Sequence, residues 1–355
     1  MKVILLGATP PPIGGIATWT LRMMNINPEY GCEYILVDEK MIGGRDMFGN
    51  NKRNIVIELK RSLNIWKNLN KKLVETQAEI VQSCIASTTL SMMREIICSI
   101  ITKLKKKKFI IHFHCTVPNT KDSILWKSLI KILCKMSDRI FVLNLQSEKF
   151  LKEITRTEIE IIPNFVEEKE VVFEKKIRKE ISKVLYVGGV IESKGVLDII
   201  DTAKLCPNIM FKLVGNPEKN VINYAKDVNN IIITGSMDKN QIKKELKDAD
   251  IFIFLSKFRG EGFSMALLEA MAAGLPCIVS DWAANKDMIG SGGGSVIQKV
   301  TPRKVKKSLE EMASVEIRKN YSQRNINVVK EEYIADIIFK RFITAYSYVI
   351  GCEKI

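Results

Sequence analysis

Ten short apolar runs divide the chain at fairly even intervals, and none of them alternates with polar residues. In the first half they are Val3–Leu6, Tyr34–Val37, Ile80–Ile85, Phe109–His114 and Arg139–Leu143; in the second they are Val184–Val187, Phe211–Val214, Ile231–Ile233, Ile251–Leu255 and Cys277–Ser280. A strand with one wet face alternates, so continuous runs predict strands buried on both faces. Helix-periodic stretches lie between them, over Ala17–Asn25, Leu59–Glu75, Thr89–Leu104, Asp122–Met136, Gly195–Leu205, Lys239–Lys247 and Ser264–Ala273. Strand–helix–strand repetition predicts an α/β chain with parallel sheets and right-handed crossovers.

The rhythm stops once. Between Pro163 and Lys183 the chain is charged and has no apolar period, and this stretch is read as an interdomain linker. The pattern then restarts as it began. Val3–Leu6 runs into Gly7 and a loop with Gly14-Gly15; Val184–Val187 runs into Gly188-Gly189 and a loop ending at Gly195. The expected architecture is two doubly wound, Rossmann-like domains facing one another across a cleft. In such folds ligands sit beyond the carboxyl ends of the strands.

Composition is that of a globular protein, 46% hydrophobic and 27% charged, which excludes a disordered, collagenous or coiled-coil chain. The net charge is +15, and residues 1–165 hold 25 basic against 15 acidic groups. The front half should therefore meet an anionic partner. Two basic amphipathic stretches, Lys60–Lys72 and Met92–Leu104 followed by Lys105–Lys108, favour peripheral contact with anionic lipid over a merely solvated helix end. Nucleic acid is not expected, since aromatics are only 7% and no nucleic-acid module is present. No apolar stretch reaches the roughly 18 residues of a membrane span. The opening run is also too short for a signal segment. The eight cysteines include no C-x-x-C pair, which predicts reduced thiols, no thiol zinc site and a cytoplasmic protein.

Three loops carry candidate chemistry. Gly14 and Gly15 lie between a buried strand and a helix start. There, backbone N–H groups can approach a phosphate, although a strained turn without ligand has the same sequence. Lys194 sits just before a helix, where a cation is unfavourable unless an anion lies between; a bound diphosphate would supply one, and an ordinary surface lysine is the alternative. The third is Glu261-Gly262-Phe263-Ser264-Met265-Ala266-Leu267-Leu268-Glu269, with Ser264 as N-cap, Gly274 beyond the helix end and Pro276 confirming the stop. At 100° per residue Leu267, Leu268 and Met271 share one face. Glu269 shares the other with Met265, Ala266, Ala270 and Ala273, leaving room for a polyol beside its carboxylate. His112 and His114 fall on one face of a strand. A metal pair is conceivable there, but no third ligand is apparent nearby, and no metal is expected.

The segment from Glu261 to Pro276 resembles the E-x7-E signature of retaining, nucleotide-sugar-dependent glycosyltransferases of the GT-B type, especially family four. The other motifs agree in order: Gly14-Gly15; Ile162-Pro163-Asn164-Phe165-Val166 beside the family's I-P-N-G-V-D; Val187-Gly188…Lys194-Gly195 beside V-G-R-x5-K-G; then Leu213-Val214-Gly215, Ala249-Asp250-Ile251-Phe252 and Ser280-Asp281. The chain departs from the pattern at Gly189, where the family has an arginine, and at Phe165, where it has glycine.

The resemblance implies a GT-B fold with an acceptor-binding domain over 1–165, a donor-binding domain over 166–335, and a last helix, about 336–355, packed back on the first. It implies that Glu269 holds the donor ribose and Glu261 faces the transferred sugar. Lys194, Gly15 and the backbone of Phe263–Met265 would cradle the diphosphate, with Gly14, Gly188, Gly189 and Gly262 in the same loops. Met237 would lie beside the base, and His114 would contact the sugar. It implies retention without a protein nucleophile, cofactor or metal, with a nucleotide sugar as donor and a glycan or lipid-linked saccharide as acceptor; the basic amphipathic stretches suit a lipid-linked acceptor and cell-surface polysaccharide assembly. A non-catalytic scaffold of the same fold is the alternative, and Gly189 is its best support.

Overall fold

The computed structural model describes residues 1–11, 14–25, 30–40, 55–121 and 123–351. Ile13 of the first glycine loop, Asp122 at the expected start of a helix, and Cys352 lie outside them. The chain forms two units, Met1–Pro163 with the segment from Ile338 on, and Asn164–Ile337.

The first unit runs β1 (Lys2–Gly7), α1 (Gly15–Met24), β2 (Glu33–Asp38), α2 (Ile55–Thr76), β3 (Ile80–Ile85), α3 (Thr89–Leu104), β4 (Lys108–Phe113), α4 (Ile124–Met136), β5 (Arg139–Val142), α5 (Leu145–Lys152) and β6 (Ile159–Ile161). Its six strands are parallel in the order β2-β1-β3-β4-β5-β6. Side-chain oxygens start the helices where the sequence changes period. Thr88 accepts from the amide of Ser91, Ser123 from Trp126 and Asn144 from Ser147. Val3–Leu6 is wholly buried, as are Phe109–Ile111 and Phe113.

The second unit runs β7 (Lys183–Val187), α6 (Val196–Leu205), β8 (Met210–Val214), α7 (Lys219–Ala225), β9 (Ile231–Ile233), α8 (Lys239–Asp248), β10 (Ile251–Phe254), α9 (Met265–Ala272), β11 (Cys277–Ser280), α10 (Asn285–Ile289), β12 (Gly294–Ile297), α11 (Pro302–Glu311) and α12 (Val315–Glu332). Its strand order is β12-β11-β10-β7-β8-β9, again all parallel. Strand order reverses between β1 and β3 in one sheet and between β7 and β10 in the other. In each sheet taken by itself, such a switch point leaves room at the carboxyl ends of the strands, beside β1 in the first sheet and between β7 and β10 in the second.

The last helix, α13 (Ala335–Ile350), starts in the second unit and continues in the first. Phe342 lies 6.2 Å from Trp19, 5.9 Å from His112 and 5.5 Å from Phe141. The Tyr346 hydroxyl donates to the side-chain oxygen of Gln82 on β3.

The charged stretch after Pro163 is no free linker. The Val172 amide donates to the carbonyl of Ala272. Lys175 Nζ donates to the carbonyls of Leu246 and Lys247, and Arg178 to the carbonyl of Asp248. These are the unsatisfied carbonyls at the end of α8, which favour cations. Burial lowers Lys175 to about 8. A missing apolar period thus marks a strap held by polar groups. Asp250, just before β10, accepts from the amides of Ser182 and Lys183 and fixes where β7 begins.

Candidate functional site in the second unit and its counterpart in the first

Glu261 and Lys194 meet although 67 residues separate them. Lys194 ends a single 3-10 turn between β7 and α6, and Glu261 lies in the loop between β10 and α9. Because β7 and β10 are neighbours at the switch point, the two loops converge. Lys194 Nζ is 2.6 Å from Glu261 Oε2, with side chains only 13% and 10% exposed. The ammonium also lies 4.7 Å from the ring centroid of Phe258, a cation–π contact. Lys194 is therefore not the exposed surface lysine that sequence alone allows.

Three braces hold Glu261. Ser256, fully buried, donates from Oγ to the same Glu261 Oε2 at 2.8 Å. Ser280 Oγ donates to the Ser256 carbonyl at 2.6 Å, and Trp282 Nε1 donates to the Phe258 carbonyl at 2.8 Å. Neither Ser256 nor Trp282 stands out in the sequence, since each is defined by a partner brought in by the fold. Asn164 Nδ2 donates to the Phe263 carbonyl at 2.6 Å, so the Pro-Asn motif also fixes this loop. Phe263 is buried, with its ring 5.2 Å from that of Tyr333.

Ser264 caps α9, accepting from the Leu267 amide at 3.3 Å. Leu267, Leu268 and Met271 are fully buried, whereas Met265, Ala266, Glu269 and Ala273 are half-buried. Ala270, placed by helical arithmetic on the Glu269 face, is buried instead. Gly274 adopts φ +70 beyond the helix end. Gly262 is buried, and its carbonyl accepts from the Ala284 amide.

Gly188 and Gly189 follow β7. The Tyr186 hydroxyl donates to the Gly189 carbonyl at 2.8 Å. A Cβ on Gly215 would stand 1.8 Å from the Gly188 carbonyl oxygen, so these two glycine backbones touch. Gly195 is required for a different reason: it adopts φ +74, and a Cβ there would lie 2.2 Å from the Leu255 carbonyl oxygen. Met237 is half-buried immediately before Asp238, which caps α8 by accepting from the Gln241 amide at 2.9 Å.

Gly14, Gly15 and His114 belong to the first unit. Gly14 precedes α1, and Gly15, its first residue, is exposed; a Cβ on Gly15 would meet nothing within 4 Å. Asp38 anchors the loop ahead of them, accepting from the Thr9 amide at 3.0 Å and the Thr9 hydroxyl at 2.6 Å.

His114 follows β4 and packs 4.5 Å from the Trp19 ring. Burial lowers its imidazole to about 3, and burial with the neighbouring His114 lowers His112 well below the usual range. The Nε2 atoms of both rings are buried without a hydrogen-bond partner.

The third potential ligand that sequence did not reveal is Cys84. Parallel register sets it opposite His112. One ligand atom from each of Cys84, His112 and His114 lies within 4.8 Å of the others. Burial raises the Cys84 thiol and lowers both imidazoles. A divalent ion bound to one thiolate would bury net positive charge among Trp19, Phe141 and Phe342, with no carboxylate in the trio. Burial thus opposes the charged forms of this trio.

Residues 167–328 match the family model described as Glycosyl transferases group 1. An uncharacterised glycosyltransferase of Methanocaldococcus jannaschii is 27% identical over 65% of this chain and 66% of its own length. The processive diacylglycerol alpha-glucosyltransferase of Acholeplasma laidlawii is 25% identical over 53% of this chain and 66% of its own. The chain thus spans slightly less than two thirds of either relative. The structure of Anabaena HepE in complex with UDP-glucose superposes with a TM-score of 0.73 at 12% identity, covering 98% of this chain and 100% of that one. The architecture shared with that structure is GT-B, and over residues 167–328 the chain is similar to the group 1 glycosyltransferases.

Proposed function

We propose that the chain is a retaining glycosyltransferase. It moves a hexose-type sugar from a nucleotide sugar to a glycan or lipid-linked saccharide, in cell-surface polysaccharide assembly. The observation that carries this reading is the Lys194–Glu261 pair beside the start of α9, at the switch point of the second sheet. A cation next to a capped helix start suits a diphosphate, whose charge grows as the sugar–phosphate bond breaks.

In this reading Glu269 accepts hydrogen bonds from the ribose, and Glu261, with Oε2 already engaged, turns its other oxygen to the transferred sugar. Lys194, Gly15 and the amides of Phe263–Met265 hold the diphosphate, with Gly14, Gly188, Gly189 and Gly262 giving backbone access. Met237 lies by the base. His114, kept neutral by burial, contacts the sugar as a hydrogen-bonding group and carries no charge. The acceptor attacks from the face that the phosphate leaves, and the phosphate takes its proton, so neither a protein nucleophile nor a metal is required. Gly189 leaves the diphosphate one cation short of the family pattern, and helix-start amides take that share. The buried free thiols suit a cytoplasmic enzyme.

The HepE complex with UDP-glucose supports a nucleotide-sugar donor, and the diacylglycerol named for the Acholeplasma relative supports an acceptor carried on a lipid. The test is a donor screen by release of nucleoside diphosphate, with calorimetry on Glu269→Ala. Loss of charge-assisted ribose bonds, about 1.5–3 kcal/mol, should weaken nucleotide binding tenfold to a hundredfold. Unchanged turnover in that variant would defeat the site. A wild-type chain that binds no nucleotide would leave the scaffold reading.

A further inference from the structure

We propose that the outward face shared by α3 and α4 docks on an anionic phospholipid membrane. Helix α3 is apolar on two sides. Its inner side buries Met92 and Cys98 in the core of the first unit. Its outer side exposes Leu90, Met93, Ile100 and Leu104, at 48%, 48%, 43% and 77%, with half-buried Ile97 between them. At 100° per residue these five positions fall within one stripe about 80° wide. A helix on the surface of a soluble domain normally turns polar residues there. Helix α4 packs beside α3 and exposes Ile124, Leu125 and Ile132. Exposed apolar residues concentrated on two neighbouring helices mark an interaction site.

The charge around the stripe selects the partner. The only acidic residue of α3, Glu95, is fully buried, and α4 has none. Lys127, Lys131 and Lys135 are exposed on α4, and Lys105 and Lys106 follow α3. A face that is apolar at its centre and basic at its rim matches a bilayer with anionic headgroups. There the aliphatic side chains enter the acyl boundary and the lysines reach the phosphates. Helix α2 contributes less than its sequence suggests: Ile65, Leu69 and Leu73 are core residues, and of the apolar positions in Lys60–Lys72 Leu63 is exposed. No described helix is long and apolar enough to cross a membrane, so the contact is peripheral. The surface depends on the fold alone and not on the transfer reaction.

The test is sedimentation of the full chain with vesicles of phosphatidylcholine alone and of phosphatidylcholine mixed with phosphatidylglycerol. Binding to the mixed vesicles only, weakening with salt, is expected. The double variant Ile100→Glu/Leu104→Glu should lose binding, and Lys127→Gln and Lys131→Gln should each lower it about fivefold. Ile222→Glu, at an exposed apolar position of α7, should bind like wild type. Circular dichroism verifies that each variant is folded. Equal partition to both vesicle types at low and high salt overturns the proposal, as does wild-type binding by the double variant. A wild-type dimer in ultracentrifugation that the double variant dissolves, without vesicle binding, overturns it in favour of self-association.

Discussion

Replacing Glu261 with glutamine should weaken the empty protein and tighten its grip on nucleoside diphosphate. The exchange conserves volume and leaves an amide oxygen for the Ser256 hydroxyl, but it strips Lys194 of its counter-charge at 2.6 Å. Removing one partner of a fully buried ion pair costs about 3–5 kcal/mol. The pair here is 13% and 10% exposed, and the Phe258 ring still attracts the ammonium, so roughly 2–3 kcal/mol is expected. For a domain of this size that lowers the thermal midpoint by roughly 4–12 °C. If the diphosphate binds at Lys194 as proposed, in the wild type it shares that cation with Glu261, and in the variant it meets an unpaired one. Saturating uridine diphosphate should therefore restore most of the lost stability, and its Kd should fall about tenfold for each 1.4 kcal/mol recovered. Thermal unfolding with and without the nucleotide, and calorimetry, measure both effects. An unchanged midpoint in the empty variant, or the same deficit under saturating nucleotide, would refute the account of this ion pair.

Three further outcomes are expected. Ser256→Ala removes the hydroxyl that orients Glu261 and should lower kcat at least tenfold with little change in donor KM, and Ser256→Thr should restore most of it; equal loss in both variants would point to packing alone. Gly195→Ala forces a side chain into φ +74 and against the Leu255 carbonyl, and should cost about 2 kcal/mol or more in denaturant unfolding. His114 is held near 3 against an ordinary 6.5, so below pH 6.5 the unfolded chain gains a proton that the folded chain refuses. The stability from its neutral ring is present above pH 6.5 and is lost as pH falls toward 3. His114→Asn should flatten that dependence by about 1.4 kcal/mol per pH unit, and an unaltered slope would show that the ring titrates freely.

The sheet of each unit was legible wherever a strand is apolar on both sides. Two strands escaped. β6 carries Glu160 between its isoleucines, and β12 opens on Gly294 and Ser295, so neither forms an apolar run. The half-buried position of Glu269 follows from helical arithmetic, because neighbours within one helix are fixed by its pitch. Ser256 beside Glu261, Cys84 opposite His112 and Lys194 against Glu261 could not be read that way. The last two depend on which strands lie side by side, and spacing along the chain does not encode strand order. The stretch after Pro163 begins where the two units divide, as expected, but its role as a strap was not legible for a related reason: its groups bond to carbonyls contributed more than sixty residues later.

Helix α13 has a bearing on how the molecule is made. Phe339, Phe342 and Tyr346 fill the core of a unit whose other residues, up to Pro163, are synthesised before the whole of the second unit. The first sheet must wait, with the surface around Trp19, His112 and Phe141 open, until α13 has emerged. Completion of the older half is thus tied to translation of α13, and chains truncated before it should be left with exposed aromatic surface, prone to aggregation.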